Sequence, residues 1–358
     1  MTLARVTVAG AASGAATLPK LPWPVTGQAA VDIPAVGFRA QSGTERSVPV
    51  ASMTKIMTAY VVLRDHPLAL GEQGPRVTMT RADAAQFGID TVTDQANVVL
   101  QAGEVLTEHQ MLEALLVHSA NDVAYALACW DAGSLGAFVA KMNAAASALG
   151  MRRTHFADSS GFSASSRSTA ADLLRVAAAA MANPVFAQIV AMPSARLPLA
   201  GTVESYTPLV GTTGVVGVKS GFTGAAGGGD VLAYRVSVAG RTLLSLAAVT
   251  SQQGPTVLEV AGKDALAIAR AASARVRATL VAAKGTVVAE VETGARTVPV
   301  TTAAPASVLA VGVAHVHVAV DVRAPRPGTE KGTVIGTAAF RFADQRVSVP
   351  VQLAANVP

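Results

Sequence analysis

Val50-Ala51-Ser52-Met53-Thr54-Lys55-Ile56-Met57-Thr58-Ala59 sets a hydroxyl and an amine three residues apart at the mouth of an apolar run. If that run is a helix, Ser52 and Lys55 lie on one face. An amine held there out of water sheds its proton more readily and can activate the hydroxyl. The apolar residues continue to Leu63, and His66-Pro67 marks the stop, because the residue before a proline is pushed out of the helical region. Many helices carry a serine and a lysine at this spacing by accident. Its meaning depends on what the rest of the chain supplies.

The chain of 358 residues is 51 % hydrophobic and 14 % charged, enough to build a real core and to exclude global disorder. Its net charge of +5 is spread thinly, and no dense block of Lys and Arg alternates with aromatics. That excludes the nucleic-acid binding classes. Cys129 is the single cysteine, so no intrachain disulfide forms and a cysteine-held metal is not expected. Within Ala126-Leu127-Ala128-Cys129-Trp130 it reads as a small core side chain. His315 and His317 alternate on a strand-like stretch without further ligand-type neighbours, so neither a metal nor another cofactor is expected. The N-terminal stretch is weakly apolar and broken by Gly10, Ser13 and Gly14, a poor signal peptide and too weak for a membrane span. Residues 1–23 read as a linker or processed segment.

Gln28 to Arg39 alternates loosely and predicts one or two short strands. Val77 to Thr80 predicts another, with Thr80 capping a turn at Arg81, and the segment on to Leu100 reads as irregular. Thr107 with Gln110 has the spacing of a capping box ahead of Met111, Leu112, Leu115 and Leu116. Asp122 is positioned to cap the next helix, Leu135 to Leu149 forms another that stops at Gly150, and Thr169 starts one more. Val231 to Val238 and Leu243 to Val249 read as strands paired about Gly240, followed by a helix from Leu258 to Ala272. After about Ser273 the pattern changes to short strands punctuated by Gly285, Gly294, Gly312, Pro325 and Gly328, a separate all-β unit over 273–358.

Three polar sets interrupt the apolar pattern: Ser52-Met53-Thr54-Lys55, Ser119-Ala120-Asn121 and Lys219-Ser220-Gly221. In order and residue type they are similar to S-x-x-K, S-x-N and K-[TS]-G, the pattern of serine-acylating penicillin-binding proteins and β-lactamases. Each has a chemical use. Ser52 attacks a carbonyl and forms an acyl-enzyme, while Lys55 takes its proton. Ser119 relays a proton to the leaving amine, and Asn121 orients Lys55 and holds the substrate amide. Lys219 supplies positive potential. Ser220 offers a hydroxyl to a terminal carboxylate, and Gly221 lets a strand approach the substrate. Phe222 walls the pocket, with Thr223 beside it. His118 and His155 lie close to these sets and read as structural.

Further stretches sharpen the likeness. Leu115-Leu116-Val117-His118-Ser119-Ala120-Asn121-Asp122, Thr154-His155-Phe156, Asp158-Ser159-Ser160-Gly161-Phe162 and Ser168-Thr169-Ala170-Ala171-Asp172-Leu173 join Ala51 to Ala59. Together, from about Pro24 to Ala272, the chain resembles the low-molecular-mass D-alanyl-D-alanine carboxypeptidases. The resemblance implies an α/β (α+β) catalytic domain over 24–272, with a five-stranded antiparallel sheet, a helical region and the nucleophile at the start of a central helix. It also fits a small accessory β domain after it. It implies removal of the terminal D-alanine from peptidoglycan stem peptides, covalent inhibition by β-lactams, and oxyanion donors at the backbone amides of Ser52 and Phe222. A position in the bacterial cell envelope outside the cytoplasm follows. So does association with the outer face of the cytoplasmic membrane through a segment absent from this sequence.

Two departures from the family pattern stand out. Ser220 occupies a position usually held by threonine. Thr250-Ser251-Gln252-Gln253-Gly254-Pro255-Thr256, after the last sheet strand, carries no basic residue where the family often has one for the substrate carboxylate. Three other activities share the motifs. A D,D-endopeptidase uses the same acylation. A class A-like β-lactamase needs a deacylating glutamate that no E-x-x-L-N loop supplies here. A catalytically weak peptidoglycan-binding protein is at odds with the retained Ser52 and Lys55.

Overall fold

The computed structural model describes Leu3–Ala4 and residues 20–212, 214–293, 296–312 and 314–358. Most of the expected linker over 1–23 lies outside the described residues.

The longer elements follow in chain order. Strands β1 (Gln28–Ile33) and β2 (Phe38–Gln41) precede helices α1 (Lys55–Asp65), α2 (Arg81–Val92), α3 (Glu108–Leu116), α4 (Asn121–Ala132), α5 (Leu135–Ala148), α6 (Ala170–Met181) and α7 (Pro184–Val190). Strands β3 (Val215–Thr223), β4 (Gly227–Val238) and β5 (Arg241–Gln252) and helix α8 (Val257–Ser273) follow. The five strands form one antiparallel sheet in the order β3-β4-β5-β1-β2.

Both faces of this sheet are covered, and strand alternation sorts the side chains between them. Ala29, Val31, Leu232, Ala247 and Val249 pack against Ala261, Ala265, Ile268 and Ala272 of α8. Their neighbours Ala30, Val231, Ala233, Leu246 and Ala248 face the helical region. Leu21 and Trp23 join the α8 side, so packed chain begins ahead of Pro24. Helix α1 is buried along nearly its whole circumference, including Lys55, Ile56, Met57, Ala59, Val61, Val62 and Leu63. A helix apolar all round sits at the centre of its region. Here α3, α4, α5, α6 and α7 surround it.

The remaining strands are β6 (Arg277–Ala282), β7 (Val287–Thr293), β8 (Arg296–Thr302), β9 (Ala306–Ala310), β10 (His317–Val322), β11 (Val334–Phe342) and β12 (Gln345–Leu353). They form a C-terminal β domain whose core includes Val288, Val298, Val300, Phe340, Val351 and Leu353. Buried Gln345 ties it to the rest. Its Nε2 donates to Ala35 O (2.9 Å) and Leu309 O (2.7 Å), and its Oε1 accepts from Leu309 N (2.8 Å) and Arg241 Nη1 (2.6 Å). Among the described residues no single helix is long and apolar enough to cross a membrane.

Several local expectations change. The segment read as irregular up to Leu100 contains α2, started by a reciprocal Thr80–Asp83 capping box. Its weak apolar face hid it. Asp122 does not cap α4. Ala120 holds that position, and the Asp122 carboxylate instead accepts from Val98 N (3.2 Å) and Val123 N (2.9 Å). Cys129 is half-buried, not in the core. Helix α7, capped by Asn183, the hairpin Ser194–Leu197 with Gly201–Glu204, and β8 were not anticipated.

Candidate active site

Ser52 lies in the 3-10 turn Ala51–Thr54 that runs straight into α1. The turn is strained at its entrance, where Ala51 adopts φ +45°. A non-glycine residue in that region persists only when its surroundings hold it. The surroundings are two glycines. A Cβ on Gly161 would fall 1.8 Å from Ala51 O, and one on Gly221 would fall 2.7 Å from Ser52 N. Glycine therefore lets a loop from one side and β3 from the other close on the backbone of Ala51 and Ser52.

Lys55, one turn on, is fully buried. Its Nζ stands 2.9 Å from Ser52 Oγ, 2.5 Å from Asn121 Oδ1 and 3.0 Å from Ser160 O. The last two groups can only accept. A neutral amine would give both its hydrogens to them and turn its lone pair to the Ser52 hydroxyl, which is the geometry of a general base. Burial holds the Lys55 ammonium well below the usual lysine range, and the charge of Lys219 pushes the same way. Asp158, Asp90 and Asp122 oppose it. Lys219 is also fully buried, and burial brings its pKa down to about 7 against the pull of Asp230. Its Nζ donates to Ser220 O at 3.0 Å.

Each ligand of Lys55 has its own support. Asp158 accepts from the backbone N–H groups of Gly161 (3.0 Å) and Ser163 (3.2 Å) and from the hydroxyls of Ser160 (3.0 Å) and Ser166. This turn aims Ser160 O at the amine. The Asn121 amide is oriented by Gln95, whose Oε1 accepts from Asn121 Nδ2 at 2.6 Å. Asn121 N donates to Ala96 O at 2.8 Å, and Asp122 reaches Val98 N, so residues 95–98 are laced to the start of α4. Ser119, just before α4, is held at φ +66°.

Ser52, Ser119, Lys219, Ser220, Gly221 and Phe222 line one open cavity of about 230 Å³, joined by Ala96, Tyr206 and Leu258. Lys55 and Asn121 sit behind it, and Thr223 lies at the end of β3 beyond Phe222. Ser220 Oγ donates to Tyr206 O at 2.7 Å. The Tyr206 ring stacks on His118 at 4.6 Å, and His118 Nδ1 is 3.1 Å from Glu204 O. The backbone of His155 pairs with Arg167. Gln95, Tyr206 and Leu258 lie outside the motifs and stretches that carry the likeness, while Ser160 lies in one of those stretches and acts through its carbonyl, which no side-chain pattern marks. Among the described residues no group of three His, Cys, Asp or Glu is arranged to hold a metal.

The family pattern for D-alanyl-D-alanine carboxypeptidase matches residues 40–234, over half of the chain. The D-alanyl-D-alanine carboxypeptidase DacB2 of Mycobacterium tuberculosis is 39 % identical over 194 residues, 52 % of this chain and 62 % of the relative. The D-alanyl-D-alanine carboxypeptidase of Streptomyces sp. (strain K15) is 32 % identical over 197 residues, 52 % of this chain and 65 % of the relative. The match thus spans less than two thirds of either relative. A D-alanyl-D-alanine endopeptidase of Pseudomonas aeruginosa is 36 % identical over 143 residues, 39 % of this chain and 42 % of the relative. The crystal structure of the D-alanyl-D-alanine carboxypeptidase DacD from Francisella tularensis superimposes with a TM-score of 0.65 at 16 % identity, covering 97 % of each chain. That likeness is one of fold and includes the C-terminal β domain. By the family pattern, the order of its motifs and its fold, this chain belongs to the D-alanyl-D-alanine carboxypeptidase family.

Proposed function

We propose that the chain is a serine-type D,D-peptidase that removes the terminal D-alanine of peptidoglycan stem peptides through an acyl-enzyme on Ser52. The observation that carries this is the Lys55 amine, buried and fixed between Asn121 Oδ1 and Ser160 O with Ser52 Oγ 2.9 Å away. Lys55 takes the hydroxyl proton as Ser52 attacks, and Ser119 passes a proton to the departing amine nitrogen. The backbone amides of Ser52 and Phe222 hold the oxyanion. Lys219 keeps the site positive, and water then hydrolyses the ester. Catalysis belongs to 24–272 and an accessory role to 273–358. The work is done outside the cytoplasm, in the bacterial cell envelope, where the substrate lies. β-Lactams act as covalent inhibitors by acylating Ser52.

A D,D-endopeptidase uses the same chemistry on a cross-linked peptide and is the second reading. A β-lactamase reading is disfavoured because no acidic residue lines the cavity among the described residues, leaving no carboxylate to drive deacylation. A catalytically silent peptidoglycan-binding role is disfavoured by the intact Ser52–Lys55 pair. The test is intact mass after brief penicillin exposure, with mapping of the adduct, alongside D-alanine release from a stem-peptide mimic. A single penicilloyl adduct on Ser52 and D-alanine release are expected. An adduct that persists in Ser52→Ala would move the nucleophile elsewhere and sink the proposal.

A further inference from the structure

Arginines far apart in the sequence gather at one edge of the five-stranded sheet. That edge is β2, at the other end of the strand order from β3 and the catalytic cavity. Arg39 of β2 donates from Nε to Asp32 Oδ2 at 2.9 Å. Arg175 of α6 joins it, and the two line a cavity of about 190 Å³ with Asp32, Gln41 and Leu174. Arg175 Nε also lies 3.5 Å from Asp172 Oδ1, while Asp172 Oδ2 accepts from Arg153 N at 2.9 Å. Arg153 Nη1 donates to Glu45 O at 2.6 Å, and Arg167 Nη2 donates to Ser47 O at 2.8 Å. Arg46 lies between Glu45 and Ser47 in the chain, and Arg152 adjoins Arg153. Arg39, Arg46, Arg152, Arg153, Arg167 and Arg175 are all exposed. The carboxylates among them are turned inward: Asp32, Glu45 and Asp172 are buried. Glu45 accepts from Ala171 N at 3.0 Å, so the start of α6 is already occupied. Asp344, in the turn between β11 and β12, is an exposed acid whose charge bears on Asp32. Six guanidinium groups against these four carboxylates leave the face with a surplus of positive charge. No large exposed apolar side chain falls within 38–47, 150–155 or 167–175.

We propose that this face binds a linear phosphodiester polymer of the cell envelope, with one phosphate seated between Arg39 and Arg175 and its neighbours along the other four arginines. The proposal goes beyond the peptidase reading and takes from it only the envelope location. A guanidinium presents its N–H donors as a planar fork that matches two phosphate oxygens at once. Arg153, Arg167 and Arg175 are already held by Glu45 O, Ser47 O and Asp172, so they lose less freedom when an anion arrives. Each contact at an exposed site is weak, but a polymer meets several together, and its second phosphate binds as if at high local concentration. The face has charge without an apolar group to bury in a bilayer, which favours a soluble polyanion over a lipid surface. None of the six arginines lines the catalytic cavity. A bound polymer would therefore hold the enzyme at the wall and leave Ser52 open to its substrate.

The test uses the full chain and end-labelled poly(glycerol phosphate), with binding read by fluorescence anisotropy across a salt series. Saturable binding that weakens steadily as salt rises is expected. Arg39→Gln with Arg175→Gln should weaken it about tenfold at low salt and flatten the salt dependence. Arg39 also pairs with buried Asp32, so Arg46→Gln with Arg152→Gln, two exposed side chains, is measured beside it and should weaken binding with no change in melting temperature. Arg326→Gln with Arg341→Gln removes the same charge from the C-terminal β domain and should leave binding within about twofold of the parent, because screening confines such charges to their own neighbourhood. Equal losses in all three pairs would reduce the effect to net charge and overturn the proposal. Absence of saturable binding to the polymer by the folded parent overturns it too, including the case in which the parent binds only vesicles of phosphatidylglycerol and phosphatidylcholine. Penicillin acylation of Ser52, followed by intact mass on the same preparations, reports separately on the peptidase reading.

Discussion

Replacing Gln95 by alanine removes a group that never meets the substrate, yet the structure makes it decisive for Lys55. Gln95 Oε1 accepts from Asn121 Nδ2 at 2.6 Å, and this fixes which end of the Asn121 amide faces the amine. With Oδ1 toward Lys55 Nζ at 2.5 Å, the lysine has an acceptor for a hydrogen and keeps its lone pair for Ser52. Without Gln95 the buried amide nitrogen loses its partner, at about 1–3 kcal/mol. The amide can recover part of this by turning over, which would set its N–H groups against the amine. If that energy is lost wholly in the acylation transition state, the rate falls about 5- to 150-fold. The assay is the second-order rate of Ser52 acylation by a fluorescent penicillin, with thermal melting as a check that the fold persists. Gln95→Glu keeps an acceptor at the same reach and should recover most of the rate. Its negative charge favours the ammonium form of Lys55, so its pH profile should move upward. Acylation of Gln95→Ala within twofold of the parent would refute the reasoning.

Gly221→Ala should cut acylation by about two orders of magnitude with a small change in melting temperature. Its Cβ would stand 2.7 Å from Ser52 N and 3.0 Å from Met53 N and would force β3 away from the nucleophile. Parent-like acylation would show that the strand can give way. The acylation rate should decline as pH rises through about 7, where Lys219 loses its proton, and Lys219→Arg should remove that decline. A decline unchanged in Lys219→Arg would assign it to another group. Glu108 is buried with both carboxylate oxygens unpaired, and burial raises its pKa to about 7. Because the folded state holds that proton more tightly than the unfolded chain, its stabilising contribution is complete below about pH 4 and is lost as pH rises through about 7. Glu108→Gln should therefore gain melting temperature relative to the parent between pH 5 and 8. A constant offset across that range would exclude the linkage.

Short-range chemistry was legible in the chain. Ser52 and Lys55 are one helical turn apart, so their meeting follows from local geometry alone. The Thr107–Gln110 capping box and the Thr169 cap act within three residues and formed as expected. The switch from mixed elements to short strands after Ser273 shows in the spacing of glycines and β-branched residues. The order of the three polar sets carried the resemblance to the family, and with it the five-stranded sheet. Helix α2 was missed because its apolar face is too thin to stand out, and its stability rests on a cap and on packing against α4.

Tertiary structure alone decided how the Lys55 amine is held. Ser160 O and Asn121 Oδ1 reach Lys55 from 105 and 66 residues away, and their placement depends on loops tied by Asp158 and Gln95. A backbone carbonyl has no sequence signature, and a glutamine that orients an asparagine looks like any polar loop residue. The same limit applies to the cavity wall beside Ser220. The sequence showed that a basic residue was missing after β5, but not what stood in its place. Only the packing of Tyr206, Phe222 and Leu258 around Ser220 defined that wall. Sequence thus marked the candidate groups, and the Ser52–Lys55 pair in particular, because that spacing is local. The fold decided how their protonation is biased, because burial and the company of distant residues set it.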